Sequence, residues 1–316
     1  MSTLFIAVDA GGTRTRALLA TVSGEVVGRG TAEGANAWSS GGSAAGAIAE
    51  AIGESDRAAV VGGCIAVAGG ISSVPAQAEA VVREWQRSGL PGRPSFVVDV
   101  VAAYATGTTL PRGLVITAGT GAIAALVDDG EIVRRAGGRG WLVGDEGSAV
   151  WLGIEGVRAA LLALDGRGPE TSMVETVVTM LGVPTAEDID VPTRITDEVY
   201  SGAPAGLGRL APEVVRHAQA GDAVALALVE RAAKWLGETA IAAAGDERPP
   251  IVILGGSVIT QAAPIGERVR ATLRARWPGV PLVETSSGEA GAAALAIARH
   301  TGTAVSEHVL ARLRDG

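Results

Sequence analysis

The sequence predicts an α/β protein with a duplicated core, arranged as two domains with a cleft between them. Strand-like and helix-like segments alternate along most of the chain, which is typical of layered α/β folds. Two segments, starting at Leu4 and at Leu114, share one order of strands and turns. The chain has 316 residues, which is enough for two domains of ordinary size.

Each of the two repeated segments reads as an apolar strand, a Gly/Thr turn, a second apolar strand and a hairpin turn. Both then continue with Gly-Glu, two β-branched residues, any residue and Arg, at 24–29 and at 130–135. Two unrelated hairpins in a glycine-rich chain are the alternative explanation. The shared order favours duplication.

The remaining elements follow from apolar periodicity. After the first repeat, we expect helices at 42–54 and 75–88, buried strands at 60–68 and 95–98, and a short Ala-rich helix at 100–107. After the second repeat, we expect helices at 147–164, 222–244 and 264–277, a buried strand at 251–254 and a final helix at 288–300, with a helical insertion at about 165–220. Residues 1–110 plus about 289–316 would form the smaller domain, and 111–288 the larger one.

Composition excludes several classes of protein. Hydrophobic residues make up 47% of the chain and aromatic residues 3%, so the chain is folded around an aliphatic core. The net charge of −8, without a cluster of basic residues, argues against nucleic-acid binding. Cys64 is the single cysteine, which excludes an internal disulfide and a cysteine-bound metal centre in one chain, and it reads as a buried strand thiol. Lys234, the single lysine, reads as a surface residue of a helix.

A cytoplasmic protein is the default expectation. The first apolar run ends at Asp9 and has no basic segment before it, so no signal peptide is evident. The longest apolar stretch, at about 58–71, is too short and too interrupted by glycine to span a membrane.

The first candidate site follows the first strand and consists of Asp9, Gly11, Gly12 and Thr13. Glycines let backbone N–H groups approach an anion closely, and Thr13 adds a hydroxyl donor. Asp9 could hold Mg²⁺ through water, because this ion prefers oxygen ligands and dehydrates reluctantly. A plain hairpin turn, in which Asp9 accepts from backbone donors, is an equally weighted alternative.

The second candidate site is the matching turn of the second repeat, Gly119, Thr120 and Gly121. Two related Gly/Thr turns that face one cleft would bind adjacent phosphates from both sides. The sequence lacks a Walker loop and a complete Gly-x-Gly-x-x-Gly opening a helix after the first strand, which disfavours other nucleotide-binding folds.

Three further segments contain candidate functional residues. Asp99 follows an apolar strand and opens a helix, where it could accept a proton from a hydroxyl during phosphoryl transfer or cap the helix. A glycine-rich loop, 138–148, could present Asp145 to sugar hydroxyls, with helix capping as an equal alternative. Gly255 and Gly256 end a buried strand and could lie against a base or ribose, although glycines are common in such turns.

In this order, the motifs resemble the actin/sugar-kinase ATPase superfamily, and most of all its N-acetylglucosamine kinase branch, which is related to the activator ATPases of benzoyl-CoA reductase. The resemblance covers nearly the whole chain. It includes DAGGT, Asn36-Ala37-Trp38, VVDVVAAYATGT, AGTG, GDEGSAVW and the late GGS. It implies a duplicated actin/ribonuclease-H-like two-domain fold with an interdomain cleft, and a homodimer.

The resemblance also implies a reaction, the ATP·Mg²⁺-dependent phosphorylation of the 6-hydroxyl of N-acetylglucosamine. On this basis Asp99 is the catalytic base and Asp9 the residue that holds Mg²⁺. The resemblance assigns phosphate contacts to Gly11, Gly12, Thr13, Gly119 and Thr120, adenosine contacts to Gly255 and Gly256, and sugar contacts to Asn36, Trp38, Gly138 and Asp145.

Two positions depart from the family pattern. Ala122 stands where family members often carry Ser, and Arg139 stands where an aromatic residue is usual, with Trp141 two positions later. Arg139 would meet an anionic substituent of the sugar or face solvent. Glucosamine and N-acetylmuramic acid are therefore alternative acceptors, and a non-catalytic sugar or nucleotide sensor is the alternative of a different class. An activator ATPase is disfavoured because its bridging cluster requires more cysteines than Cys64.

Overall fold

The structure is a computed structural model that describes residues 3–11, 13–33, 46, 48, 50, 53, 57–68, 79, 82–83, 85–184, 189–285 and 288–316. Ten strands in this part of the chain form two five-stranded mixed sheets. The strands are β1 (Leu4–Ala10), β2 (Arg14–Thr21), β3 (Val26–Glu33), β4 (Val60–Val67), β5 (Ser95–Val98), β6 (Arg112–Ala118), β7 (Ala122–Asp128), β8 (Glu131–Gly137), β9 (Val252–Gly255) and β10 (Leu282–Thr285).

The two sheets repeat one topology. The first has the order β3-β2-β1-β4-β5, and the second, read from its other edge, has the matching order β8-β7-β6-β9-β10. In each sheet the first strand pairs antiparallel with the second and parallel with a later one. The register of each second hairpin also shifts at one place, between Leu19 and Ala20 and between Leu126 and Val127. The predicted duplicated α/β fold is therefore confirmed.

The helices that follow the first sheet are numbered from Asp99. They are α1 (Asp99–Gly107), α2 (Ala149–Leu164), α3 (Met173–Leu181), α4 (Val191–Ser201), α5 (Ala211–Gln219), α6 (Ala223–Ala244), α7 (Ser257–Thr260), α8 (Ala263–Arg276), α9 (Glu289–Thr301) and α10 (Glu307–Asp315), and a 3₁₀ helix spans Pro204–Leu210. Residues 165–220 thus contain helices, as expected for the insertion. Within the described residues, no helix is both long enough and apolar enough to cross a membrane.

Several predicted boundaries need correction. β5 is half-buried rather than buried, because it lies at the edge of the first sheet. β10 was not predicted, since a strand of four residues gives too short an apolar pattern. The helix predicted at 288–300 is not the final helix, because α10 follows it. The structure describes only part of the helices predicted at 42–54 and 75–88. The positions that it describes there are helical, apart from turns at Gly53 and Ser88.

Aliphatic side chains fill the core on both faces of the sheets. One face of the second sheet packs against α6 and α8, and its other face packs against α1. The first sheet packs against α9 and α10 on one face, where Cys64 is buried as predicted. Lys234 on α6 has a largely exposed side chain, also as predicted.

Two helices connect the sheets. The chain passes from the first sheet to the second through α1, and it returns from the second to the first through α9. These helices pack on each other, and the backbone N–H of Gly291 donates to the Thr106 hydroxyl at 2.9 Å. As a result, the first residues of both helices, Asp99 and Glu289, lie at the carboxyl ends of sheet strands. The exact division into two domains stays a prediction.

Candidate active site

The two Gly/Thr turns meet. Thr13 follows β1 and Thr120 follows β6, and their hydroxyl oxygens lie 2.8 Å apart. Gly11 lies beside Thr13, where its N–H donates to the carbonyl of Arg14 at 3.2 Å. Gly12 lies outside the described residues. The duplicated topology thus brings two equivalent turns from the two sheets into one place.

The turn of the second sheet is fixed by the helix behind it. The N–H of Gly119 donates to the carbonyl of Gly121 at 2.9 Å, which closes the turn. The carbonyl of Gly119 accepts from the N–H of Ala149 at 2.8 Å, and that of Thr120 accepts from Val150 at 3.5 Å. Because these bonds use carbonyls, the Thr120 hydroxyl is left free to contact Thr13 and a ligand.

Asp99 is the first residue of α1. Its carboxylate accepts from the N–H of Val100 at 2.8 Å. The expectation that Asp99 caps this helix is wrong, because Val98 occupies the N-cap position and Asp99 lies inside the first turn. Loss of solvation, with smaller contributions from the negative charges of Asp9 and Asp145, raises the pKa of Asp99 to about 7 against the lowering effect of the Val100 N–H. Asp99 is only partly buried, so a ligand can reach it. A carboxylate with this pKa can accept a proton near neutral pH.

Asp9, near the end of β1, lies beside the start of α9. It accepts from the N–H of Gly288 at 3.0 Å. The pKa of Asp9 is raised to about 6. Loss of solvation is the main cause and the negative charge of Glu289 adds to it, whereas the Gly288 N–H and the positive charge of Arg16 oppose it. Asp9 keeps some exposed surface, so it can contact a ligand on the open side of the turn.

Asp145 is held by backbone donors of the glycine-rich loop. Its carboxylate accepts from the N–H of Gly140 at 3.1 Å and from those of Ala122 and Arg139. Burial raises its pKa, and these donors oppose the shift. Asp145 also has a φ of 56°, a conformation that costs energy for a residue other than glycine and is typical of functional sites. The alternative in which Asp145 caps α2 is wrong, because the hydroxyl of Ser148 accepts from Trp151 and fills that position.

Gly121 allows Asp145 to approach the turn. A Cβ atom at this position would lie 2.7 Å from Oδ2 of Asp145, which is closer than real Cβ contacts. The sugar-site candidate and the phosphate-site candidate are therefore in direct contact.

The rest of the glycine-rich loop forms an exposed rim. Gly138 donates its N–H to the carbonyl of Ala122 at 2.8 Å, and the Arg139 side chain is exposed. Three consecutive apolar side chains are also exposed, namely Trp141, Leu142 and Val143. The other two sugar-site candidates, Asn36 and Trp38, lie outside the described residues.

Gly255 and Gly256 lie one strand away from the second turn. Gly255 ends β9 and pairs with Thr117 of β6, two residues before Gly119. Gly256 has a φ of 82°, and a Cβ atom there would overlap the backbone of Ala118. The chain therefore carries no side chain at these two positions, which lie at the carboxyl ends of adjacent strands, where α/β sheets bind ligands.

Sequence reasoning missed Glu289, the first residue of α9. The residue is 5% exposed, and its Oε1 lies 3.4 Å from Nη1 of Arg29. Its Oε2 is buried and has no hydrogen-bond partner among the described residues. One feature of the sequence could have identified it. Segment 288–297 consists of glycine, alanine and other aliphatic residues apart from this glutamate, and a charged residue is rarely buried in such a segment.

The chain resembles several known proteins. It is 26% identical to the N-acetyl-D-glucosamine kinase of Dictyostelium discoideum, over 93% of this chain and 98% of the relative. It is 31% identical to the N-acetylmuramic acid/N-acetylglucosamine kinase of Clostridium acetobutylicum, over 40% of each chain. A crystal structure described as a candidate N-acetylglucosamine kinase from Chromobacterium violaceum superposes with a TM-score of 0.71 at 22% identity, over 99% of both chains, which shows a shared fold.

One family model covers most of the chain. Residues 6–296 match the BadF/BadG/BcrA/BcrD ATPase family, a range that includes both sheets and every described candidate residue of the site. The protein therefore belongs to the BadF/BadG/BcrA/BcrD ATPase family.

Proposed function

We propose that the protein is an ATP-dependent amino-sugar kinase that transfers the γ-phosphate of ATP to the 6-hydroxyl of N-acetylglucosamine. One observation carries this proposal: a carboxylate with a pKa of about 7, Asp99, shares a site with two opposed Gly/Thr turns at Thr13 and Thr120. The relative from Dictyostelium discoideum matches nearly the whole chain and is named an N-acetyl-D-glucosamine kinase, which supports the same acceptor.

The turns would bind the phosphates of ATP. The hydroxyls of Thr13 and Thr120 are donors suited to phosphate oxygens, and the glycines at 11, 12 and 119 would let the phosphates approach the turns closely. Gly255 and Gly256 would contact the adenosine, since they lie beside the second turn.

Asp99 would act as the general base. The oxygen of the sugar 6-hydroxyl attacks the γ-phosphorus, and the new O–P bond forms as the bond to the leaving ADP breaks. The hydroxyl proton moves to the Asp99 carboxylate. A pKa near the working pH suits this role. Much of the Asp99 carboxylate is then deprotonated and can accept a proton, and the carboxylate is basic enough to hold the proton that it receives.

Asp9 would hold Mg²⁺ through water. The site fits such an ion, because the carboxylates of Glu289 and Asp99 lie close enough to Asp9 for the negative charges to act on one another. No cluster of three or more His, Cys, Asp or Glu side chains suited to a metal occurs in the described part of the chain. Mg²⁺ usually keeps several waters and shares phosphate oxygens, and when bound it would reduce the negative charge of the phosphates.

The glycine-rich loop would bind the sugar. Asp145 is fixed by backbone donors, and a carboxylate retains acceptor sites for sugar hydroxyls. Gly138, Asn36 and Trp38 would complete the pocket. We further infer a homodimer, a cytoplasmic location and two domains that close on the substrates, since closure would favour transfer to the sugar over transfer to water.

A second acceptor, N-acetylmuramic acid, is favoured by one observation. The exposed guanidinium of Arg139 makes no ion pair with any described residue, although it lies in the loop that holds Asp145. A carboxylate on the sugar would supply the missing partner.

Release of ADP with ATP·Mg²⁺ tests both candidates. The acceptors are N-acetylglucosamine, N-acetylmuramic acid, glucosamine, N-acetylmannosamine and glucose. We expect the highest kcat/KM with N-acetylglucosamine, and Arg139→Gln should leave that value unchanged. Preference for N-acetylmuramic acid that is lost in Arg139→Gln would establish the second acceptor. ATP binding without turnover on any sugar would contradict the kinase proposal and favour a sensor.

A further inference from the structure

We propose that Glu289 is a second acidic residue of the cation site, and that its carboxylate and that of Asp9 together bind the water shell of the divalent cation that accompanies the nucleotide. The inference rests on the proposed nucleotide site. Glu289 is buried and takes no part in the phosphoryl-transfer step proposed above, so a cation site would account for its presence.

The geometry places Glu289 beside Asp9. Gly288, the residue before it, donates its N–H to Oδ2 of Asp9 at 3.0 Å. The Glu289 carboxylate is close enough to Asp9 for its charge to act on that residue. Two carboxylates, one at the end of β1 and one at the start of α9, therefore belong to one acidic site.

The Glu289 carboxylate is poorly neutralised by the protein. Oε1 has one distant contact with Arg29, whose side chain is 42% exposed and also contacts the Gly316 carbonyl at 3.4 Å. Oε2 has no hydrogen-bond donor in the described part of the chain. An unpartnered carboxylate oxygen in a buried position is costly, because no hydrogen bond replaces those that it made with water. The arrangement is understandable if a cation supplies the missing positive charge.

The chemistry of the site selects a small, hard divalent cation. The two groups offer oxygen atoms alone, whereas zinc sites typically include histidine or cysteine even where a carboxylate also binds. Two carboxylates are too few to replace the hydration shell of Ca²⁺, which takes six to eight oxygen ligands. They suit Mg²⁺ or Mn²⁺, which keeps waters and uses one or two carboxylates beside nucleotide phosphates. Asp9 is partly exposed, which leaves a route for such a hydrated ion.

A purely structural role for Glu289 makes the opposite prediction for stability. If the Arg29 pair held α9 against β3, then Glu289→Gln would destabilise the protein in the absence of cation. If Glu289 is instead retained for the cation, neutralising it removes an uncompensated charge, so the cation-free protein should be as stable or more stable. Glutamine preserves the size of the side chain, which isolates the effect of charge.

The experiment measures Mn²⁺ binding by electron paramagnetic resonance, with ADP present, in the full chain and in three variants. We expect Glu289→Gln to weaken Mn²⁺ binding at least tenfold and Asp9→Asn to weaken it more. Glu307→Gln is the matched control, because Glu307 is the first residue of the next helix and is exposed; its Mn²⁺ affinity should be unchanged. Thermal unfolding without cation should give a midpoint for Glu289→Gln at or above that of the original protein.

Unchanged Mn²⁺ affinity in Glu289→Gln, or a lower unfolding midpoint without cation, would overturn the proposal. The binding measurement needs no sugar, so it separates this proposal from the kinase proposal. Normal Mn²⁺·ADP binding that depends on Glu289 supports the cation site even if no sugar is phosphorylated. Failure of the original protein to bind Mn²⁺·ADP would overturn both.

Discussion

The hydroxyl oxygens of Thr13 and Thr120 lie 2.8 Å apart although 107 positions separate the two residues in the chain. Each follows the central strand of its own sheet, β1 or β6, at the start of an equivalent hairpin. Duplication of one topology thus brings together two turns, one from each sheet, and neither sheet alone could form this candidate site.

Replacement of the Thr120 hydroxyl should weaken nucleotide binding. Thr120→Val keeps the size of the side chain but removes a donor that we assign to phosphate, so we expect KM for ATP to rise about tenfold, the value of roughly one charge-assisted hydrogen bond. Steady-state kinetics with varied ATP measures the change. Thr179→Val, at an exposed position of α3, is the control. An unchanged KM for ATP would exclude Thr120 from the phosphate site.

Removal of the Asp99 carboxylate should abolish most turnover without loss of ATP binding. A positioned general base contributes roughly 10²–10⁴-fold, so Asp99→Asn should lower kcat by that factor. ATP affinity, measured by calorimetry, should stay within about threefold, because asparagine is nearly isosteric. A kcat close to that of the original protein would show that another group accepts the proton.

The pH dependence gives an independent test of Asp99. Its pKa is raised to about 7, so the carboxylate is protonated below that pH and cannot act as a base. We therefore expect kcat/KM, which reports the free enzyme, to fall about tenfold per pH unit below pH 7 and to level off above it. The remaining activity of Asp99→Asn should not show this fall below pH 7. If the variant shows the same fall, the titrating group is a residue other than Asp99.

Local sequence patterns were sufficient to predict the repeat and most of its turns. Glycines and threonines directly after apolar strands identify both turns, because the residues that form each turn are adjacent in sequence. The same holds for Asp99, which was predicted at the junction of a strand and a helix and lies at that junction. The roles of these residues in binding and catalysis stay predictions.

Contacts between distant segments could not be predicted in this way. The bond from Gly288 to Asp9 joins residues 279 positions apart, and it depends on α9 returning to the first sheet. The sequence could therefore single out Glu289 as an unusual charged residue, but the fold was needed to show that it lies near Asp9. Likewise, the capping alternative for Asp145 could be rejected only when Ser148 was found to accept from Trp151.

Asp222, at the start of α6, joins this helix to the insertion and should contribute to stability above about pH 4. Asp222 caps α6 by accepting from Val224 at 3.0 Å and Ala225 at 2.9 Å, and it also accepts from the Thr171 hydroxyl at 2.8 Å and from the N–H and hydroxyl of Ser172. Partial burial raises its pKa, but the hydrogen bonds, led by that of Ala225, outweigh this effect and lower the pKa to about 2. The unfolded chain has a pKa of about 4 at this residue.

The sign of the pH effect follows from these values. Because the pKa of Asp222 is lower in the folded protein, its contribution to stability is complete above about pH 4 and is lost as the pH falls from about 4 towards 2. Asp222→Ala should cost about 1–2 kcal/mol at pH 7, in the range of a lost helix cap, and should flatten the acid dependence. Chemical denaturation at pH 7 and pH 3 measures both. Asp190→Ala, which removes the exposed cap of α4, should cost less, since Asp190 accepts from Thr193 alone among the described residues.

Contact between Gly121 and Asp145 predicts that one added methyl group will separate sugar binding from nucleotide binding. In Gly121→Ala, the new Cβ would lie 2.7 Å from Oδ2 of Asp145, so the carboxylate must move away from its backbone donors. We expect KM for the sugar to rise at least tenfold, with KM for ATP changed less than threefold. Gly206→Ala is the matched control, because a Cβ atom there meets nothing within 4 Å. Equal increases in both KM values would mean that the substitution distorts the whole turn and that Asp145 has no separate role in sugar binding.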